Sequence, residues 1–136
     1  MYNILYMLTN EDLPINAVIM ARGKGIRLRP LTYKSPKPML EIGEKPMLAY
    51  NIEKLLASGI KNIYISVNYL KEQIINYVNN NYSDFNIKFI EEDKPLGTIG
   101  AISLVNDWKH EDILVINADI ISNINFKNFY ISHKNH

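Results

Sequence analysis

Glycines and cations alternate in one segment of the chain, and their combination suits a polyphosphate ligand. The segment ARGKGIRLRPLTYKSPKPM begins at Ala21, directly after a short apolar run. Its glycines and its central cations are Gly23, Lys24, Gly25, Arg27 and Lys37. Glycines after a strand let backbone N–H groups approach an anion closely. Arginine forks onto phosphate oxygens and lysine places a point charge beside them. The alternative is a solvated basic turn that binds nothing.

Two common phosphate-binding motifs do not match this segment. A Walker A loop requires GxxxxGK followed by serine or threonine, and the chain has no such run. The dinucleotide motif GxGxxG starts correctly at Gly23 but requires a third glycine where Leu28 stands. The segment therefore represents another kind of phosphate loop, and an unrelated dinucleotide-binding protein is disfavoured.

A carboxylate occupies a comparable position after a later apolar run. The run DILVIN ends at Asn117, and Asp119 follows two residues later. An aspartate in this position is often a turn former or a helix cap. Mg²⁺, however, is commonly bound by one or two carboxylates together with substrate phosphates. With a polyphosphate segment expected at the same edge of the sheet, the sequence favours Asp119 as a magnesium ligand.

The segment EEDKPLGTIGA, which starts at Glu91, combines a turn with small residues. Gly97 and Gly100 bracket the predicted start of a helix, and Thr98 is the predicted cap. Small residues here allow a flat ring or a sugar to lie against the backbone. The alternative is an ordinary turn into a helix.

The predicted elements bring these segments together. Short apolar runs alternate with helical patterns of about ten residues, which favours a parallel sheet covered by helices on both faces. The predicted strands are NAVIM, KNIYISVN, FNIKFIEED and DILVIN, and the clearest predicted helices are PMLAYNIEKLLASG and LKEQIINYVNN. In such sheets the ligand lies beyond the carboxyl ends of the strands. Both the cationic segment and Asp119 follow such ends.

Composition narrows the possible partners and compartments. The chain has 136 residues, 47% hydrophobic and 21% charged, with a net charge of +1 and no cysteine. These values predict one domain and provide no global field that would attract nucleic acid or an anionic membrane. Neither a targeting leader nor an apolar run of roughly 18 residues is recognised, so a cytoplasmic protein is expected. Residues 1–14 are predicted to be an extension or linker remnant, and residues 15–136 the domain.

Taken together and in this order, the three segments resemble the sugar-1-phosphate nucleotidyltransferases. The family signature is close to AGGxGTRLxPLT, followed by PKPM, then PLGTAGA, then a strand that ends in an aspartate. The matching residues are Ala21, Gly23, Gly25, Arg27, Leu28, Pro30–Thr32, Pro36–Met39, Pro95–Thr98, Gly100, Ala101 and Asp119. The chain is most similar to the mannose-1-phosphate guanylyltransferase-like branch, which is often preceded by CBS domains, and EDLPINAVIM resembles the junction in that branch.

The resemblance implies a Rossmann-like, three-layer α/β/α domain with a mainly parallel sheet. It also implies a reaction in which a sugar 1-phosphate attacks the α-phosphorus of a nucleoside triphosphate and releases pyrophosphate. Arg27 and Lys37 would be catalytic, neutralising phosphate charge, and Asp119 would bind Mg²⁺. The implied nucleotide-binding residues are Ala21, Gly23, Lys24, Gly25, Pro95, Gly97 and Thr98. Guanylyl transfer to a hexose or hexosamine phosphate is the implied reaction.

The chain departs from the family pattern at a few positions. Arg22 replaces the second glycine of the loop, Ile26 replaces its threonine, and Ala118 replaces the glycine before the metal-binding aspartate. The guanidinium of Arg22 could add a phosphate contact or fill space that the nucleotide needs. The family domain also continues beyond the length of this chain, so the sheet is expected to be incomplete at its C-terminal end and the isolated chain to form homo-oligomers with little transferase activity. The alternative function is a truncated or decayed relative that binds nucleotide or only self-associates.

Overall fold

A computed structural model of the chain describes residues 3–22, 29–30, 33–94, 96–121 and 123–135. Within these ranges, five helices and six strands are found. The helices are α1 (Ile4–Thr9), α2 (Met47–Ala57), α3 (Lys71–Asn81), α4 (Gly97–Ser103) and α5 (Phe126–Lys134). The strands are β1 (Ile15–Ala21), β2 (Glu41–Ile42), β3 (Lys45–Pro46), β4 (Asn62–Val67), β5 (Ile87–Glu91) and β6 (Asp112–Asn117). The alternation expected from the sequence is therefore confirmed.

The main sheet of the described residues is parallel, with the strand order β5-β4-β1-β6. The chain runs from β1 to β4 and β5 on one side, then returns to place β6 on the other side of β1. Register pairs Met20 of β1 with Asn117 of β6 and Ala21 with Val67 of β4. The strand order thus reverses between β1 and β6, and a crevice at the carboxyl ends of two such strands is the usual ligand site of this architecture.

Helices cover both faces of the sheet, which confirms the three-layer α/β/α prediction. On one face, Ile19 and Ile65 pack into the larger core cluster with the apolar stripe of α2. On the other face, Val18 and Tyr64 pack with Ala101 of α4 in a smaller cluster. Side chains on both faces of β1 are buried, as expected of a continuous apolar run in a parallel sheet.

Helix α2 ends as its sequence predicts. Leu48, Ile52 and Leu55 on its apolar stripe are fully buried, and Gly59 follows the helix with a φ of +90°. A Cβ at Gly59 would lie 2.2 Å from the backbone oxygen of Glu11, so both the conformation and the space require glycine. This close approach joins α2 to the segment after α1, and Met7 of α1 is itself part of the core.

Three asparagines fix the register at the amino ends of the strands. Asn62 donates to Asn16 Oδ1 at 2.6 Å, and Asn86 donates to Asn62 Oδ1 at 2.9 Å. Asn16 also donates to the carbonyl oxygens of His110 and Asp112, just before and at the start of β6. Because a slipped register would leave the buried amides of Asn16 and Asn62 unpaired, the ladder holds the opposite, carboxyl edge of the sheet in one arrangement.

Candidate functional site

A cleft of about 400 Å³ opens at the carboxyl ends of β1 and β6, where the strand order reverses. The described residues that line it are Met20, Arg22, Lys37, Pro38, Gly97, Asn117 and Asp119. They come from all three segments that the sequence singles out, although these segments are far apart in the chain. The cleft is therefore the candidate functional site.

Lys37 and Asp119 form an ion pair inside this cleft. Lys37 Nζ lies 2.8 Å from Asp119 Oδ2, and the two side chains are 32% and 36% exposed. An ammonium and a carboxylate that are both open to solvent can exchange their mutual contact for a ligand's phosphate and its counterion. The pair thus combines an anion-binding group with a cation-binding group at one point of the cleft.

Backbone contacts fix the position of Asp119. The N–H of the preceding Ala118 donates to the carbonyl of Met20 at 3.1 Å, which extends the pairing of β6 with β1. The buried side chain of Asn51 in α2 donates to the Ala118 carbonyl, also at 3.1 Å. Ala118 is fully buried, so the turn is held from the sheet and from the helix. Asp119 therefore projects from a rigid support.

A short 3-10 turn presents Lys37. The turn spans Lys37–Met39 and packs against α2 and α3, and its second residue, Pro38, is buried. Pro36 and Pro38 restrict the backbone on both sides of Lys37, because proline fixes φ. The PKPM segment of the sequence thus forms a restricted turn that places the ammonium group of Lys37 near the end of β6.

The segment after β5 forms the opposite wall of the cleft. Gly97 opens α4 with a φ of +76° and has open space around the position of a Cβ. The N-cap of α4 is Leu96, without a side-chain hydrogen bond, so the prediction that Thr98 caps the helix is wrong. Gly100 serves packing, because a Cβ there would lie 2.5 Å from Leu96 Cβ.

Glu92 is a buried carboxylate that the sequence interpretation missed. Its side chain is fully buried, and it accepts hydrogen bonds from Arg22 Nη1 at 3.1 Å, from Ser66 Oγ at 2.5 Å and from the Leu96 N–H at 3.1 Å. The side chain of Asn68 donates to its carbonyl oxygen. The acidic run before PLGT was a signal for such a residue, but nothing in the sequence separates Glu92 from Glu91 and Asp93.

The predicted site residues fall into three groups. Lys37, Gly97 and Asp119 line the cleft together. Ala21 is buried in the core at the end of β1, and Thr98, although exposed, is absent from the described lining of the cleft. The others lie outside the described residues, namely Gly23, Lys24, Gly25, Arg27 and Pro95, together with Ile26 of the same loop.

The described part of the cleft holds few groups that could bind Mg²⁺. Among the residues that the structure describes, no three histidine or acidic side chains gather into a ready-made metal site. Asp119 is the one carboxylate in the described lining of the cleft. Mg²⁺ bound through nucleotide phosphates requires only one or two protein carboxylates, so the donor set fits a metal that arrives with a triphosphate.

The family follows from comparison with known proteins. Residues 16–136 match the family described as nucleotidyl transferase. This chain belongs to the nucleotidyl transferase family. The membership confirms the resemblance inferred from the sequence, while the CBS-domain association of the branch stays a prediction.

Curated relatives of this nucleotidyl transferase chain are much longer than the chain itself. It is 36% identical over 127 residues to a mannose-1-phosphate guanyltransferase of Schizosaccharomyces pombe, covering 90% of this chain and 35% of the relative. It is 44% identical over 107 residues to the bifunctional protein GlmU of Methanocaldococcus jannaschii, covering 79% of this chain and 25% of that protein. This nucleotidyl transferase chain therefore spans only a fraction of the length of these relatives.

A solved structure supports the same placement. The crystal structure of HddC from Yersinia pseudotuberculosis, complexed with GMP-PN, superposes on this nucleotidyl transferase chain with a TM-score of 0.74 at 34% identity. The match covers 86% of this chain and 53% of HddC. Rossmann-like α/β architecture, predicted from the sequence, is thereby confirmed.

Within the described ranges, none of the helices is both long and apolar enough to cross a membrane.

Proposed function

We propose that this chain provides the nucleotide-binding part of an enzyme that transfers a nucleoside monophosphate from a nucleoside triphosphate to a sugar 1-phosphate. The products are a nucleoside diphosphate sugar and pyrophosphate. The observation that carries the proposal is the Lys37–Asp119 pair, 2.8 Å apart at the carboxyl edge of the sheet. It supplies a phosphate-binding cation beside a carboxylate suited to Mg²⁺, at the crevice where parallel sheets bind ligands.

The proposed reaction is an in-line displacement at the α-phosphorus. A phosphate oxygen of the sugar 1-phosphate forms the new P–O bond, the bond to the β-phosphate bridging oxygen breaks, and pyrophosphate leaves with that electron pair. Such chemistry depends mainly on positioning and charge neutralisation. Mg²⁺, when bound, would neutralise phosphate charge and help to orient the triphosphate.

The side chains of the cleft have distinct proposed roles. Lys37 neutralises phosphate charge near the reacting centre from its rigid turn, and Asp119 holds the metal ion. The open surface at Gly97 accepts the nucleoside, because among the described residues no atom lies within 4 Å of the position that a Cβ would take there. Arg27 is proposed to stabilise the leaving pyrophosphate, in line with the family pattern.

The finer substrate assignment is guanylyl transfer to a hexose or hexosamine phosphate. It is supported by the names of the related guanyltransferases and by the complex of HddC with GMP-PN. Pyrophosphate release should be measured with GTP, CTP, UTP and dTTP, each combined with several sugar 1-phosphates. Turnover that depends on GTP, on a sugar 1-phosphate and on Mg²⁺ supports the assignment, and equal turnover with every base contradicts it.

A second candidate function is nucleotide binding without transfer. It is favoured by the single carboxylate in the described part of the cleft lining, because a reaction centre with two acidic metal ligands would require another one. Binding of GTP with Mg²⁺ but no pyrophosphate release with any sugar 1-phosphate would select this function.

We also propose that the chain works in the cytoplasm and self-associates. β6 is an outer strand of the sheet formed by the described residues, and its Val115 is 38% exposed. Further large apolar side chains are exposed after β6, including Phe129 at 53% and Ile131 at 47%. Apolar surface beside an unpaired strand edge favours association between copies.

A further inference from the structure

We propose that Arg22 is a positioning residue, which holds the turn after β5 against the end of β1 and so fixes the width of the nucleotide cleft. The inference rests on the proposed function, since it concerns the same cleft. Arg22 stands where the resembled family has glycine, so this contact belongs to this chain rather than to the family pattern.

The first observation is the geometry of the Arg22 side chain. Its Nη1 lies 3.1 Å from Glu92 Oε1, and the side chain is only 19% exposed. The guanidinium therefore turns toward the wall of the cleft instead of extending into its centre. Removing one partner of such an ion pair is costly, because it leaves the charge of the fully buried carboxylate uncompensated.

The second observation is that Glu92, the partner of Arg22, also binds the turn after β5. The same oxygen, Oε1, accepts the N–H of Leu96 at 3.1 Å, and Leu96 directly precedes Gly97 of the cleft. Oε2 accepts the Ser66 hydroxyl at 2.5 Å from β4. One carboxylate thus joins the ends of β1 and β4 to the start of α4.

The third observation is the position of Arg22 in the chain. It directly follows β1 and directly precedes residues 23–28, the loop from which the sequence predicts triphosphate binding. A fixed residue at this point defines where that loop begins. Arg22 therefore connects the end of β1 with the start of α4, on either side of the cleft.

Removing the guanidinium should loosen the turn and weaken nucleotide binding. In Arg22→Met, we expect the Leu96 amide to exchange with solvent about tenfold faster, because its acceptor loses a charged partner. The dissociation constant for GTP with Mg²⁺, measured by calorimetry, should rise about tenfold. Arg22→Lys, which keeps the charge, should recover part of both effects.

A matched control is available in an ion pair between β3 and α2. Lys45 and Glu53 lie 3.0 Å apart with side chains 16% and 12% exposed, against 19% and 0% for Arg22 and Glu92, and neither lines the described part of the cleft. Lys45→Met should destabilise the fold without changing the Leu96 amide or the nucleotide affinity. If Arg22→Met does not fold, Glu92→Gln tests the same contact with an isosteric, neutral side chain.

Three outcomes decide the proposal. Faster Leu96 exchange together with weaker binding in Arg22→Met, but not in Lys45→Met, supports it. Unchanged exchange overturns it, and so does tighter nucleotide binding in Arg22→Met, since this would mean that the guanidinium obstructs the cleft. If the wild-type chain binds no nucleoside triphosphate, the proposed function fails, whereas the Leu96 amide still decides whether Arg22 holds the turn.

Discussion

Lys37 and Asp119 meet across the mouth of the cleft, with 2.8 Å between Nζ and Oδ2, although 82 positions separate them in the sequence. Each residue has its own rigid support, a proline-flanked turn for Lys37 and a doubly anchored buried backbone for Asp119. A pair that is about one-third exposed contributes only about 0–1 kcal/mol to folding. Its geometry is therefore better explained by a ligand than by stability.

Lys37→Met should weaken the binding of GTP with Mg²⁺ about tenfold or more, because a charge-assisted contact to phosphate is lost. Asp119→Asn should weaken GTP binding more strongly in the presence of Mg²⁺ than in its absence. The free energy of unfolding should change by less than about 1 kcal/mol in both variants. Lys61→Met is the control, since Lys61 pairs with Asp12 at 2.7 Å outside the described lining of the cleft. Equal losses of affinity in Lys61→Met and Lys37→Met would argue against a phosphate role for Lys37.

Gly59→Ala should be more destabilising than Gly97→Ala. Both glycines have positive φ, but a Cβ at Gly59 would lie 2.2 Å from a backbone oxygen, whereas a Cβ at Gly97 would meet open space. We expect Gly97→Ala to cost about 1–2 kcal/mol of conformational strain, and Gly59→Ala to cost clearly more. Urea unfolding of the two variants measures the difference, and equal costs would contradict the close packing of the α2 end.

Gly97→Ala should also affect the cleft. The added methyl group would stand on the open wall assigned to the nucleoside, so the affinity for GTP should fall more than that for inorganic pyrophosphate, which lacks a base. Calorimetric titration with both ligands tests this prediction. Equal losses of affinity for the two ligands would mean that the added methyl group disturbs phosphate binding and not the contact with the base.

Tyr82 should make the fold sensitive to alkaline pH. Burial raises the pKa of the Tyr82 hydroxyl well above its ordinary value, and its hydrogen bond to Glu53 Oε2 at 2.8 Å raises that pKa further. The unfolded chain then loses this proton near pH 10 while the folded chain retains it, so the unfolded state binds fewer protons. The stabilisation is complete below about pH 10 and is lost as the pH rises further, by at most about 1.4 kcal/mol per pH unit.

Tyr82→Phe isolates this effect. The variant should lose about 1–3 kcal/mol at neutral pH, because Glu53 loses a buried hydrogen-bond donor. The gap between wild type and variant should then narrow above pH 10. Guanidinium unfolding at pH 7 to pH 11 provides the comparison, and a constant gap across that range would rule out this proton linkage.

Self-association should depend on the outer strand β6. Light scattering of the wild-type chain at micromolar concentration should show dimers or larger species, and Val115→Lys should shift them toward the monomer. Ile99→Lys is the control, since Ile99 is 84% exposed but belongs to α4. A monomeric wild-type chain would contradict the association proposal.

Much of the fold could be predicted, because local chemistry determines it. The buried run at β1, the apolar stripe of α2 and the glycine at its end indicate their structures without tertiary information. That Lys37 and Asp119 share a sheet edge could also be predicted, since parallel strands point their carboxyl ends the same way. The predicted cap of α4 was wrong because the helix already begins at Gly97, so its N-cap is Leu96, two residues before Thr98.

The role of Arg22 could not be predicted. Its partner Glu92 is 70 positions away and stands in a run of three acidic residues. Only the tertiary structure shows which of the three carboxylates turns inward toward Ser66. The first helix was likewise missed, because residues 4–9 have no strong helical signal, and the core contact of Met7 holds them in place.

The most direct test of the central claim is a crystal structure of the chain with a non-hydrolysable GTP analogue and Mg²⁺. We expect the triphosphate in the cleft between the ends of β1 and β6, with Lys37 Nζ on a phosphate oxygen and Asp119 on the metal ion. Arg22 should remain paired with Glu92. A nucleotide bound elsewhere, or bound in the cleft while Lys37 and Asp119 keep their mutual contact and touch neither phosphate nor metal, would contradict the account.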